Sequence, residues 1–181
     1  FINTEISSGF VNNKTAIFTS QSYRNLSFLI ECWDQIFKNS KNSQLLINPP
    51  YELKNNDKNK NIKFREMSST ENLIKDLLES RVMLIPGHKS EVYCLAAEEA
   101  RELCVPIVTM GYGCLKERVI HGETGFIANS KKEFINYSLS ILNDDEVYKK
   151  LRSNLFKLRS IRTYKDVAKD LINQISKNFK I

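Results

Sequence analysis

The sequence predicts an α/β domain built on a doubly wound, Rossmann-like parallel sheet, and three observations carry that prediction. Short apolar runs alternate along the chain with segments whose apolar residues recur at helical spacing. The runs are continuously apolar instead of alternating with polar residues, which suits strands covered on both faces. The chain has 181 residues, of which 41% are hydrophobic. That is enough to bury a core without disulfide or metal staples, and it points to one compact domain.

Lys14 to Ser20 (KTAIFTS) reads as the first buried strand. The helix after it has Ser22 as its expected N-cap and carries Leu26, Leu29, Ile30, Trp33, Ile36 and Phe37 on one face, with Trp33 in the core. Gln44 to Ile47 is the next strand, stopped by Pro49-Pro50, which cannot continue a ladder. Glu52 to Asn61 is polar, rich in Asn and Lys, and is expected to be an exposed flexible loop. Ile62 to Arg65 forms a brief strand. Ser68 or Ser69 then caps a helix through Leu73, Ile74, Leu77 and Leu78, with Glu71 placed for a capping box if Ser68 is the cap. Arg81 to Ile85 is a strand ended by Pro86-Gly87, residues 92–103 a helix, and Val105 to Met110 a strand with its proline near the start. Glycines 111, 113, 122 and 125 cluster in loops, and Thr124 to Ala128 supplies a last strand. Three helical patterns follow, at Lys131–Leu142, Asp144–Leu158 and Thr163–Phe179. In such sheets ligands bind beyond the carboxyl ends of the strands, so the loops after Ser20, Ile47, Arg65, Ile85 and Met110 are the places to search.

The net charge of +6 is uneven: residues 149–181 carry ten Lys/Arg against two Asp/Glu, and the rest of the chain 17 against 19. A uniform nucleic-acid-binding surface is disfavoured, and the basic tail reads as a solvated helical face or as a contact with an acidic protein or anionic lipid surface. No apolar run is long enough to span a membrane, and no signal-peptide layout opens the chain. Cys32, Cys94, Cys104 and Cys114 have no metal-site spacing and read as reduced core thiols of a cytoplasmic protein. The chain begins at Phe1 with no strong periodicity over its first ten residues, and is read as a piece of something longer.

The most informative stretch runs from Pro86 to Phe126. Glu91 is expected just before a helix whose first amides, on Val92, Tyr93 and Cys94, lack intrahelical acceptors and can hold an anion. Glu99 lies eight residues on, about 12 Å along a helix axis. That separation suits two hydroxyl-bearing groups joined by a diphosphate, since each carboxylate accepts more than one hydroxyl. From spacing alone, the alternative that these are ordinary helix acids stays open.

Taken whole, the stretch resembles the donor-binding region of the group 1, glycogen-synthase-like retaining glycosyltransferases of GT-B architecture. The resemblance is carried by Glu91, Glu99-Ala100, Pro106-Ile107-Val108, Glu117 and Gly122-Glu123-Thr124-Gly125-Phe126, in that order. Weaker agreement covers residues 14–175. The resemblance implies the carboxyl-terminal half of such an enzyme, with a linker over 1–13, a nucleotide-sugar-binding domain over 14–160, and a basic helix over 161–181 directed toward a missing amino-terminal acceptor domain or a membrane surface. It implies that Glu91 contacts donor-sugar hydroxyls and Glu99 the ribose, and that the amides of Tyr93, Cys94 and Leu95 meet the diphosphate or sugar. Arg24 stands at the family's phosphate-binding lysine, Met67 is placed as a base-loop contact, and Glu117 is a supporting acid that orders the glycine-rich turn or backs the donor. No metal or cofactor is implied, since the nucleotide sugar is itself the substrate. The location implied is cytoplasmic, peripheral to the inner membrane face if the basic tail docks there.

Departures bear on activity. Thr19 replaces an arginine, Val92-Tyr93-Cys94 replaces Gly-Phe-Gly, and Cys104 replaces a glycine before the Pro106 strand. His88 and His121 are read as loop histidines without catalytic roles. Two functions follow: the donor-binding half of a hexosyltransferase acting on a glycan or glycolipid, or a degenerate, non-catalytic binding or interaction module of the same fold.

Overall fold

The first predicted strand forms over Thr15–Phe18 (β1), with all four residues buried. The computed structural model describes residues 6, 9–48, 60–65, 69–159 and 164–179. Leu26–Asn39 (α1) follows, then Gln44–Ile47 (β2), which has the bounds the apolar run predicts. The chain continues through Ile62–Phe64 (β3), Thr70–Leu78 (α2), Val82–Leu84 (β4), Leu95–Glu102 (α3) and Ile107–Thr109 (β5). It closes with Leu115–Arg118 (α4), Gly125–Ile127 (β6), Lys131–Asn143 (α5), Asp145–Leu158 (α6) and Tyr164–Phe179 (α7).

The six strands form one sheet in the order β3-β2-β1-β4-β5-β6. Every pairing is parallel, with Phe18 opposite Ile47, Ile47 opposite Phe64, Ile17 opposite Met83, and Leu84 opposite Val108. The chain winds outward from β1 to one edge, crosses back through α2 to β4, and winds to the other edge. At that edge β6 approaches β5 so closely that a Cβ on Gly125 would lie 2.1 Å from the Ile107 carbonyl oxygen, which explains the glycine.

The core is built from the strands and from one face of each flanking helix. On α1, Leu26, Leu29, Cys32, Trp33 and Ile36 are fully buried, each apolar chain contributing roughly 1.5–3 kcal/mol. Trp33 donates its indole N–H to the Lys60 carbonyl at 2.8 Å, so its polar edge is satisfied in the core. α1 packs on α5, with Phe28 and Phe134 edge to face at 5.5 Å. Ser130 caps α5 and Asp144 caps α6, each accepting a backbone N–H of the first turn.

The expected cap of α1 is corrected. Ser22 lies in a turn, and the cap position is Asn25, held left-handed at φ 64 without a side-chain cap bond. Asparagine tolerates that region, and here its side chain donates to the Gly87 carbonyl, a long-range contact that local periodicity does not show. Ser69 is the cap of α2, accepting from the Asn72 amide at 3.4 Å. Ser68, Met67 and the polar stretch before Lys60 lie outside the described residues.

α3 is corrected as well: it opens at Leu95, not at Val92, because Cys94 is left-handed at φ 58. The family's glycine at that place is the residue that takes this conformation without cost; a side chain there costs roughly 1–2 kcal/mol. Cys104, the other glycine replacement, is left-handed too at φ 57. α7 exposes Val167, Leu171, Ile172 and Ile175. Among the described residues no helix is long and apolar enough to cross a membrane.

Candidate functional site

Where the winding reverses, the loops leaving β1 and β4 part and open a crevice at the carboxyl ends of the strands. A cleft of about 410 Å³ occupies it, within the range of small-ligand sites. The turn after β1 contributes Thr19 and Arg24, the end of β2 Asn48, and the end of β3 Arg65. The loop after β4 contributes Glu91 and Cys94, and α3 contributes Leu95 and Glu99.

The two loops that carry Arg24 and Glu91 are pinned to each other and to a third. Asn25 reaches from the β1 turn to the Gly87 carbonyl. The Glu91 amide donates to the His88 carbonyl at 2.9 Å, and the Glu91 carbonyl accepts from the Cys114 amide at 3.0 Å. Gly113, at φ +59, lies against the same peptide: a Cβ there would fall 2.4 Å from the Glu91 carbonyl oxygen. Glu91 is thus placed by backbone contacts on both sides of its own loop.

Arg24 Nη1 and Glu91 Oε2 meet at 3.0 Å, with the side chains 18% and 10% exposed. The contact is electrostatic without hydrogen-bond alignment, so both atoms, buried as they are, lack a hydrogen-bond partner. Thr19 Oγ1, also facing this cleft, is a third buried polar atom without a partner. Such atoms are rare because each costs free energy, and three around one cleft mark a place where an incoming group can satisfy them. The Arg24 guanidinium also lies over the exposed Tyr23 ring at 5.0 Å.

Glu99 faces the cleft from α3. Burial pushes its carboxyl above the usual range, and the Arg65 charge opposes the rise. Arg65 is itself buried: Nε donates to Asp76 at 2.9 Å and Nη1 to Asn48 at 3.1 Å. Asn48 in turn donates to the Thr19 carbonyl at 2.6 Å. Cys94 is buried, which pushes its thiol up to about 11, so at neutral pH it is a protonated packing group and not a nucleophile. Cys32, Cys104 and Cys114 are likewise buried, unpaired and shifted upward by burial.

Arg24, Glu91, Cys94, Leu95 and Glu99 are therefore brought together around one cleft. Because residues 91–94 are not helical, the axial separation expected for Glu91 and Glu99 does not apply, and the amides at the start of the helix begin at Leu95. The Tyr93 side chain turns away: its ring lies under the Arg118 guanidinium at 4.5 Å and lines a neighbouring hollow of about 350 Å³. Glu117 sits exposed on α4 and lines that same hollow. Met67 lies outside the described residues.

His88 accepts from the Ser90 amide at 3.2 Å and meets Tyr23 edge-on. His121 accepts from the Ile127 amide at 3.1 Å and packs on Phe126 and Tyr137, a structural part. Sequence reasoning missed Arg65, Asn48, Asn25 and Gly113. For Arg65 a signal existed, a cation closing an apolar strand at the end where ligands bind. Among the described residues no cluster of three or more His, Cys, Asp or Glu could hold a metal ion.

The family profile of glycosyl transferases group 1 matches residues 19–157. No curated protein matches the sequence. Among solved structures, TarM of S. aureus superposes with a TM-score of 0.72 at 17% identity, over 93% of this chain and 36% of TarM. HepE of Anabaena, solved with UDP-glucose, superposes at 0.68 and 16% identity over 93% of this chain and 49% of HepE. The carboxyl-terminal domain of LpcC, a group 1 family protein of Francisella tularensis, superposes at 0.64 and 18% identity, over 80% of this chain and 82% of that domain. The chain thus spans between a third and a half of the longer structures that it resembles.

Proposed function

We propose, on the premise that this chain belongs to the group 1 glycosyltransferases, that it is the donor-binding part of a retaining enzyme that transfers a hexose from a nucleotide sugar to a glycan or glycolipid. The observation that carries this reading is the set of three buried polar atoms without a hydrogen-bond partner, on Thr19, Arg24 and Glu91, around the cleft at the switch point. Two of the structures that share the fold, TarM and HepE, were solved with UDP or UDP-glucose, which supports a nucleotide-sugar ligand here.

In this reading the Glu91 carboxylate accepts donor-sugar hydroxyls and Glu99 accepts the ribose hydroxyls. Arg24 and the first amides of α3, on Leu95 and Ala96, face the diphosphate. The first amides of α3 are fixed before the ligand arrives, so they stabilise the charge that grows on the leaving diphosphate without reorganising, whereas Arg24 is held by Glu91 and moves to take part. A donor hydroxyl on Glu91 competes with Arg24 for the same oxygen, and the ion pair loosens as Arg24 turns to phosphate. The acceptor wall belongs to a second domain, and α7 is the segment directed toward it or toward an anionic membrane surface.

A second reading is favoured by Thr19 and by the side chain at left-handed Cys94: a degenerate, non-catalytic module that keeps the fold but not the donor site. Calorimetry with UDP, GDP and their glucose and mannose conjugates separates the readings. Binding that Glu99→Ala weakens is expected. Absence of binding at millimolar ligand, or indifference to Glu99→Ala, supports the degenerate module, and sugar transfer by this chain alone sinks the division of labour.

A further inference from the structure

We propose that Arg65 is a phosphate-binding residue of the cleft, supplying at the end of β3 the second positive charge that Thr19 does not supply at the end of β1, and that it faces the phosphate attached to the ribose. This deepens the donor-binding reading and rests on it.

The placement is the first argument. β3 lies two strands from β1, roughly 9–10 Å away at about 4.8 Å per strand. The Arg65 amide continues the ladder by donating to the Ile47 carbonyl at 2.9 Å. From there the guanidinium reaches back across β2: Nη1 meets Asn48, and Asn48 meets the Thr19 carbonyl. The charge absent from position 19 is therefore present two hydrogen bonds away, in the same cleft.

The second argument is preorganisation. Arg65 is 9% exposed. Nε is held by Asp76 and Nη1 by Asn48, while Nη2 has no hydrogen-bond partner among the described residues. A buried guanidinium fixed by two of its groups, with a third unspent and a cleft beside it, offers the fork geometry that phosphate takes. What sets Arg65 apart from the buried Arg81 and Arg152 is that it lines the cleft.

The third argument is chemical order. Glu91 has Arg24 beside it at 3.0 Å, and Glu99 shares the cleft with Arg65, whose charge acts on its carboxyl. In a nucleoside diphosphate sugar, the α-phosphate is bonded to the ribose and the β-phosphate to the transferred sugar. A cation beside the ribose-binding acid meets the α-phosphate, and a cation beside the sugar-binding acid meets the β-phosphate.

The test uses the nucleoside, monophosphate and diphosphate of uracil and of guanine, titrated by calorimetry into the wild-type chain, Arg65→Gln, Arg65→Lys and Arg24→Gln. Arg65→Gln is expected to weaken the mono- and diphosphate by the same factor, roughly tenfold to a hundredfold, and to leave the nucleoside unchanged. Arg65→Lys keeps more of the affinity than Arg65→Gln, and Arg24→Gln weakens the diphosphate alone. Should Arg65→Gln fail to fold, guanidinium NMR of the wild-type chain decides: the Arg65 resonance shifts with monophosphate and not with nucleoside. Equal losses for nucleoside and nucleotide, unaltered monophosphate binding, or an unmoved resonance in nucleotide-bound wild type would overturn the role of Arg65 while leaving the cleft a nucleotide site. No nucleotide binding by the wild type overturns the donor reading and this inference together.

Discussion

The two ends of the sheet treat buried polarity in opposite ways. At the end where the strands begin, Arg81 is 2% exposed, donates to the Ile141 carbonyl at 2.7 Å, pairs with Asp145 and lies under the Tyr148 ring. Arg152 fastens three segments through the carbonyls of Gly9, Leu103 and Cys104. Nearby, Lys14 and Ser40 both donate to the Asn143 side chain, which donates in turn to the Asn39 carbonyl. At the end where the strands finish, Arg24, Glu91 and Thr19 are nearly as buried, yet each keeps an atom without a hydrogen-bond partner. Burial of charge is common to both ends, and Glu102 Oε2 near Arg152 also lacks a hydrogen-bond partner, but only at the cleft do three such atoms gather. A saturated arginine is part of the scaffold, and an unsaturated one marks a site whose missing partner comes from outside.

The contrast breaks most sharply if Arg152→Ala is harmless. That change strands the Leu103 and Cys104 carbonyls and releases the Gly9 segment, and is expected to cost about 3 kcal/mol, a melting-point loss of roughly 10 °C by calorimetry, with nucleotide affinity preserved below the transition. At the other end, Glu91→Gln leaves the Arg24 charge without its counter-ion but beside an open cleft, and is expected to cost about 1–2 kcal/mol, less than Arg152→Ala. The same change weakens nucleotide-sugar binding roughly tenfold and leaves the nucleoside diphosphate within about twofold. A large loss of stability from Glu91→Gln would place Arg24 and Glu91 with the scaffold.

The smallest effect concerns Glu99. Its raised carboxyl favours the protonated form in the folded chain, so its contribution to stability is present at low pH and is lost as pH rises through the folded value. Glu99→Gln is therefore expected to melt higher than wild type near neutrality, with the gap closing as pH falls toward the ordinary carboxylate range around 4.5. Melts collected from about pH 8 to about pH 4 check the sign. Ligand binding by the wild type, which needs the carboxylate, weakens over the same interval.

These two ends also differ in how readable they were. β2 is legible to the residue because the apolar Leu45-Leu46-Ile47 is soon followed by a proline pair, and the order of elements follows from the alternation of the two periodicities. The grouping of Glu91, Glu99 and Arg24 is what the family resemblance implies; from spacing alone the two acids stay open. What escaped depends on backbone angles and distant partners. Nothing in the pattern from 92 to 103 shows that Cys94 turns left-handed and delays α3 by a turn, and nothing local shows that Arg118 claims Tyr93. The pattern shows Arg65 only as the end of a brief strand, and that Asn48 and Asp76 hold its guanidinium inward is seen only in the structure.

The contact between Gly113 and the Glu91 peptide reaches further than local geometry. Gly113 does not line the cleft, yet its missing side chain and its neighbour's amide set where the sugar-facing acid stands. Loops usually vary independently of one another; here residues 111–118 and 88–94 are mechanically one piece. A change of donor sugar in a descendant of this chain is then a matter of exchanging both loops as a cassette, and grafting either alone into a relative carries over the acid without its address.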